Sequence, residues 1–263
     1  MCTIIVRHRI DDWCSTLIAS NRDEFYDREA TPPLVLSSTP RVVGGRDESK
    51  GGTWFGVTRG GLFVGLTNQR IYGFPDSSLR SRGELVLGAL QTGSREGVRD
   101  FLEGVDARSY NEFNLIYGDG DSLEAAYGRQ SSPDVEFAEL SRGVHVLCND
   151  RLGSPEFPKA EVARERVLSI SPQPWESIAP ALAEVLSDDS LPDPADVPPL
   201  PENAFFDEDL ARRLQAIKVR TPIYGTVSAT LAAVSPGQVH HYHFSETPPT
   251  ADSFSDYTSL IEA

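Results

Sequence analysis

Residues 2–24, CTIIVRHRIDDWCSTLIASNRDE, decide the fold of the chain. Two short apolar runs lie on either side of the polar pair Asp11-Asp12, a pattern that predicts a β-hairpin. The tetrapeptide NRDE at 21–24 follows the second run directly. Because the two strands of a hairpin lie side by side, we expect this tetrapeptide beside Cys2.

Cys2 follows Met1 directly, so removal of the methionine leaves one residue with both a thiol and a free α-amine. An α-amine titrates near pH ~7.7–8.0 and a thiol near ~8.5, so the amine is a base matched to the thiol at neutral pH. A terminal amine that activates its own side chain is a known form of nucleophilic catalysis. The alternative is that Cys2 is only a small apolar residue in a first strand.

The NRDE tetrapeptide combines two carboxylates with a guanidinium and an amide. Asp23 is a candidate to orient the amine or thiol of Cys2, and Asn21 and Arg22 are candidates to bind substrate. The alternative is a polar turn with an internal salt bridge, which contributes little on a solvated surface.

Four further segments suggest the walls of a cleft. Gly51-Gly52 before Trp54 suits close backbone approach, with Trp54 as a substrate contact. Asn68 and Asn149 each end an expected strand, where an amide donor suits a developing oxyanion, although Asn also commonly begins turns. Thr226, in a late Tyr-Gly-Thr segment, is expected to line the cleft or to form a tight turn.

Composition narrows the function classes. The net charge of −15 disfavours a nucleic-acid partner, because phosphate binding needs a basic surface. Lysine is scarce beside arginine, which indicates a salt-rich cytoplasm or a GC-rich genome. No apolar run is long enough for a membrane span and no secretory signal is evident, so the expected location is cytoplasmic.

Metal and cofactor sites are not expected. The three cysteines, Cys2, Cys14 and Cys148, are too widely spaced for a zinc site or a disulfide framework. His241 and His243 share a strand face without a third ligand at a telling spacing, which favours a solvated edge strand. The expected partner is a small molecule.

Alternating apolar runs around a helical middle predict the α+β class with antiparallel sheets. Helices are expected at 81–91, 94–102, 158–170 and 175–186, a Pro-rich loop at 31–40, and an acidic Pro-rich loop or insertion at about 187–209. We expect one domain over 1–263, and a layered helix–sheet–sheet–helix sandwich would hold Cys2 at a sheet edge facing a cleft.

The order of several segments resembles the NRDE family, also called the transport and Golgi organization protein 2 family. The segments are MCT at 1–3, NRDE at 21–24, GGTWFG at 51–56, LTNQR at 66–70, SRGEL at 81–85, YNEFNL at 110–115, LCN at 147–149 and YGT at 224–226.

The resemblance implies an αββα sandwich like that of the N-terminal nucleophile hydrolases. It also implies Cys2 as nucleophile, Asp23 as its acidic partner, and Asn68 and Asn149 as oxyanion or substrate residues. The chain has Ser20 and Val227 where the hydrolase group is expected to carry arginines.

Two function hypotheses follow. The first is an N-terminal cysteine hydrolase acting on a small amide or thioester, with Cys2, Asp23 and Asn149 as catalytic residues. The second is a non-catalytic protein on the same fold that binds or carries haem or an acyl lipid.

Overall fold

The computed structural model describes residues 2–262, so the expected removal of Met1 lies outside the described residues. The strands in chain order are β1 (Cys2–His8), β2 (Thr16–Phe25), β3 (Leu34–Ser38), β4 (Arg41–Gly44), β5 (Phe55–Thr58), β6 (Phe63–Asn68), β7 (Phe113–Gly118), β8 (Leu123–Gly128), β9 (Glu136–Glu139), β10 (Gly143–Leu147), β11 (Tyr224–Ser235), β12 (Gln238–Ser245) and β13 (Ser255–Asp256). The helices are α1 (Arg82–Gln91), α2 (Arg95–Glu103), α3 (Pro158–Leu168), α4 (Trp175–Leu186), α5 (Glu208–Arg213) and α6 (Ser259–Glu262).

The strands form two antiparallel sheets. The first has the order β10-β1-β2-β11-β12-β13 and the second has the order β3-β4-β5-β6-β7-β8-β9. The predicted α+β class and the antiparallel pairing are confirmed. All strand pairs within both sheets are antiparallel, including pairs such as β2–β11 that no hairpin joins.

Side-chain alternation along β1 creates the layers. Ile4 and Val6 face the second sheet and pack with Phe55 and Phe63, whereas Ile5 faces the opposite side and packs with α3 and α4. On the outer face of the second sheet, α1 and α2 cover a third apolar cluster that includes Leu85. The result is the αββα sandwich that the resemblance implied.

The NRDE tetrapeptide lies inside β2 and not after it, which corrects the sequence-based boundary. Register pairs Cys2 with Arg22 across β1 and β2, so the predicted proximity is confirmed. β2 is also paired with β11 on its other side from Thr16 to Phe25, beyond Arg22, where its pairing with β1 ends. Buried polar side chains are tolerated there because they find partners inside the protein.

Two loop predictions need correction. Residues 31–40 contain the strand β3, which pairs on one side only with β4 and is bounded by prolines at 33 and 40, as an edge strand permits. Residues 187–209 are largely irregular, but they include a short 3₁₀ turn at Pro194–Asp196 and the start of α5.

Candidate active site

A cleft of about 270 Å³ opens where the start of β1 meets the start of α1. Its walls come from β1, β2, β6, the α1 N-terminus and the loops at 47–54 and 75–81. The lining residues are Cys2, Arg22, Asp23, Glu24, Arg28, Asp47, Lys50, Thr53, Trp54, Leu66, Asn68, Pro75, Asp76, Ser77, Leu79, Arg80, Ser81, Arg82, Gly83 and Asn111. Four sequence-predicted site residues therefore meet Cys2 in one cleft: Arg22, Asp23, Trp54 and Asn68.

Cys2 lies at the start of β1 with 8% of its surface exposed. Burial raises the pKa of its thiol, while a hydrogen bond from the Asp23 backbone N–H and the nearby Arg22 guanidinium act in the opposite direction. The resting side chain is therefore a neutral thiol that needs a base before it can attack. The backbone hydrogen bond aims at the sulfur and stabilises the thiolate once it forms.

Asp23 is almost fully buried, and its carboxylate is held from the helix side of the sheet. The Thr226 hydroxyl donates to Asp23 Oδ1 at 2.6 Å and accepts from the Val219 backbone N–H at 2.9 Å. The Tyr224 hydroxyl donates to the Asp23 carbonyl at 2.7 Å. Burial raises the pKa of Asp23. The positive charge of Lys159 is the strongest opposing effect, and the Thr226 hydrogen bond also lowers this pKa.

A β-bulge accompanies this arrangement. The β2–β11 register shifts between Thr226 and Ser228, so Val227 is the extra residue opposite Arg22 and Asp23. A bulge twists the strand and redirects side chains, and bulges are common beside active sites. Thr226 thereby faces Asp23 instead of lining the cleft, which makes it a support for the carboxylate.

The two asparagines at strand ends differ. Asn68 lines the cleft. Asn149 is fully buried behind it and donates from Nδ2 to the Asn68 carbonyl at 2.7 Å. Asn68 is therefore the asparagine that lines the cleft, and Asn149 holds the Asn68 backbone in place.

Asn21 points away from the cleft. By strand alternation it shares a face with Ala19, on the side of the helices α3 and α4. Its Nδ2 donates to the carbonyls of Leu186 and Ile217 at 2.9 and 3.0 Å. These two bonds tie β2 to the end of α4 and to the segment before β11, so the structure places Asn21 in the framework behind Asp23.

Trp54 and the paired glycines shape the cleft wall. The guanidinium carbon of Arg22 lies 4.4 Å from the centroid of the Trp54 ring, a cation–π contact. A side chain on Gly52 would collide with the Gly83 backbone, with a Cβ 2.3 Å from the Gly83 carbonyl carbon. Only glycine therefore lets the 51–53 loop approach the start of α1 and close the cleft there.

The histidines of β12 pack against tryptophan. His241 stacks on Trp175 with ring centroids 4.4 Å apart. Within residues 2–262, His, Cys, Asp and Glu side chains form no group of three that could hold a metal ion. Over the same residues, no helix is long and apolar enough to cross a membrane.

Comparison with known sequences places the chain in a family. A sequence profile described as Transport and Golgi organisation 2 matches residues 1–248. The chain belongs to this family. The Transport and Golgi organization protein 2 homolog of Bos taurus is 33% identical over 236 residues, which cover 83% of this chain and 81% of that protein. The Homo sapiens homolog is 31% identical with the same coverage.

Solved structures show the same fold at low sequence identity. The Caenorhabditis elegans N-acylethanolamine-hydrolyzing acid amidase ortholog superposes with a TM-score of 0.58 and 13% identity, over 88% of this chain and 92% of that one. Penicillin V acylase from Agrobacterium tumefaciens gives a TM-score of 0.55 and 14% identity, over 99% and 87%. This member of the Transport and Golgi organisation 2 family therefore has the N-terminal nucleophile hydrolase fold.

Sequence reasoning missed two residues of the site. Lys159 is 2% exposed on α3, where its Nζ donates to the Ala216 carbonyl at 3.3 Å, and it supplies positive charge behind Asp23. Arg82, the first residue of α1, lines the cleft. The scarcity of lysine was the only available signal for Lys159, whereas Arg82 lies in the SRGEL segment quoted above.

Proposed function

We propose that this protein is an N-terminal cysteine hydrolase that cleaves a small amide or thioester. The observation that carries the proposal is the position of Cys2. It lies at the start of the interior strand β1, lines the cleft, receives the Asp23 backbone N–H at its sulfur, and shares the cleft with Asn68. The cleft volume of about 270 Å³ suits a small substrate.

The reaction begins once Met1 has been removed. The Cys2 α-amine takes the thiol proton as the sulfur forms a bond to the substrate carbonyl carbon, and the carbonyl π electrons move to oxygen. Asn68 Nδ2 donates to this oxyanion, a contribution worth about 3–4 kcal/mol in acyl-transfer sites. Asp23 orients the amine, supported by Thr226 and Lys159.

The tetrahedral intermediate then collapses. The C–N or C–S bond breaks, the leaving group takes the proton from the α-ammonium, and an acyl thioester remains on Cys2. The amine next removes a proton from water as its oxygen attacks the acyl carbon. Cleavage of the S–C bond returns the proton to sulfur and releases the carboxylic acid.

Intact-mass and peptide-mapping mass spectrometry test this proposal. Incubation with a panel of short-chain acyl thioesters and anilides is expected to give an acyl adduct on Cys2 and turnover that Cys2→Ala abolishes. Cys14→Ala is the matched control, because Cys14 is also a buried thiol but lies outside the cleft lining. Retention of Met1 in the mature protein, or full turnover by Cys2→Ala, contradicts the mechanism.

A further inference from the structure

The cleft differs in charge from the molecule around it. The chain carries a net charge of −15, yet five basic residues line the cleft beside four acidic ones. The acidic side chains are already engaged. Asp47 pairs with Arg28 at 2.6 Å and Glu24 lies 3.7 Å from the same guanidinium. Asp76 Oδ1 accepts hydrogen bonds from the backbone and hydroxyl of Ser78.

Arg22 is a buried cation without an anionic partner. Only 6% of it is exposed, and its guanidinium lies over Trp54 at the cleft wall. Within residues 2–262 it forms no ion pair, and no side-chain hydrogen bond from it is seen. A guanidinium has five N–H donors, and leaving them unsatisfied in a desolvated site is costly. The cation–π contact uses the flat face of the Arg22 guanidinium. The N–H donors at its edge remain available to a ligand.

Arg82 brings a second cation to the same space. Its Nη1 donates to the Glu112 carbonyl at 3.2 Å, and among the described residues it has no ion-pair partner. Burial lowers the pKa of Arg82, while the nearby charge of Glu24 acts in the opposite direction. The second guanidinium therefore also faces the cleft without a carboxylate bound to it.

The N-terminus of α1 points to the same place. Ser81, Arg82 and Gly83 all line the cleft, and the Ser81 side chain makes no capping hydrogen bond. The first N–H groups of a helix have no intrahelical acceptor and carry partial positive charge, which favours a bound anion.

We propose that the cleft binds an anionic oxygen group of its substrate, a carboxylate, sulfonate or phosphate, between Arg22, Arg82 and the N-terminus of α1. This inference rests on the proposed function for the substrate's reactive carbonyl and adds the substrate class. The anion anchors one end of the molecule so that its carbonyl reaches Cys2. Arg22 recognises it from β2 and Arg82 recognises it from α1.

A matched pair of alkylating reagents measures this preference. Iodoacetate and iodoacetamide both form an S–C bond and release iodide, but only iodoacetate carries a carboxylate. The ratio of their rates at Cys2, read by peptide mapping, cancels changes in thiol reactivity. Relative to an uncharged free thiol such as N-acetylcysteine amide, the ratio is expected to be roughly 10-fold higher at low salt and to fall as salt screens the cleft.

Variants locate the effect. Arg82→Gln and Arg22→Gln are each expected to lower the ratio about 3- to 10-fold. Arg142→Gln is the control, because it removes the same charge from an exposed position before β10, beside the end of β1 far from Cys2. A wild-type ratio equal to that of the free thiol overturns the proposal, as does an equal loss in Arg142→Gln.

A binding measurement separates this proposal from the catalytic one. If neither reagent labels Cys2, the proposal that Cys2 is a nucleophile is refuted. The anion site is then tested separately, by the binding measurement. Cys2→Ala is then titrated calorimetrically with pyrophosphate and with succinate at low salt. Binding of either that is lost on adding Arg82→Gln and kept on adding Arg142→Gln supports the site and shows which anion it prefers. Absence of binding by both refutes it.

Discussion

Thr226→Val tests whether the framework behind Asp23 is as important as the geometry indicates. Valine keeps the shape of threonine but removes a hydroxyl that makes two buried hydrogen bonds, to Asp23 Oδ1 at 2.6 Å and from the Val219 N–H at 2.9 Å. A hydrogen bond to a charged group contributes about 1.5–3 kcal/mol, and a buried N–H left without a partner costs about 1–3 kcal/mol. Burial of the added methyl regains about 1 kcal/mol.

The expected net loss is therefore about 3 kcal/mol in the free energy of unfolding, measured by urea denaturation at pH 7. Thr226→Ser keeps the hydroxyl and removes one methyl group, so it is expected to lose only about 1 kcal/mol. Equal losses in the two variants would refute the argument, because they would show that packing and not hydrogen bonding holds this position.

The loss should also depend on pH in a defined direction. Burial raises the pKa of Asp23 in the folded protein, so Asp23 favours the native state below its ordinary pKa and this contribution is lost as pH rises. The Thr226 hydrogen bond opposes that rise, and its removal raises the folded-state pKa of Asp23 further. The Thr226→Val penalty should thus grow as pH rises and shrink as pH falls toward the ordinary carboxyl range.

Two further substitutions probe other buried charges. Lys159→Met removes a positive charge that lowers the pKa of Asp23, so the acid limb of the pH–rate profile for Cys2 acylation should move to higher pH. Lys159→Arg keeps the charge and should leave the limb in place. An unmoved limb in Lys159→Met excludes this role for Lys159. Glu124→Gln breaks a fully buried carboxylate's ion pairs with Arg95 and Arg99 and should cost about 2–3 kcal/mol in urea denaturation. Because that cluster lies at the second sheet and α2, Cys2 labelling should be unchanged, and altered labelling would show coupling across the sheets.

The sequence was sufficient to predict the pairing of Cys2 with the NRDE tetrapeptide, because a short polar turn between apolar runs dictates a hairpin whatever surrounds it. It was insufficient for the exact end of β2. Local pattern makes four polar residues in a row a turn, but pairing with β11 extends the strand through them. Tertiary pairing thus overrode a local signal.

The sequence was also insufficient to predict the direction in which side chains point. Asn21 and Arg22 are neighbours in sequence, and only the strand register decides that Arg22 faces the cleft while Asn21 faces the helices. Lys159 lies far from Cys2 in sequence on a helix with no distinguishing pattern, so its position behind Asp23 depends on how α3 packs. Residue type alone indicates candidate site residues, whereas the assembled sheets decide how deeply each side chain is buried and which way it points.

The resemblance led us to expect arginines at positions 20 and 227, which hold Ser20 and Val227. The structure instead places Arg22 and Arg82 in the cleft. Ser20 lies on the same face of β2 as Arg22, because side chains two residues apart along a strand point the same way. Two residues span about 7 Å, so Arg22 carries a guanidinium to that face about 7 Å nearer the strand end that meets α1. Val227 occupies the bulge opposite Arg22, and Arg82 enters from the second sheet's helix layer. Positive charge is therefore present in the cleft, but it comes from Arg22 and Arg82 and not from positions 20 and 227.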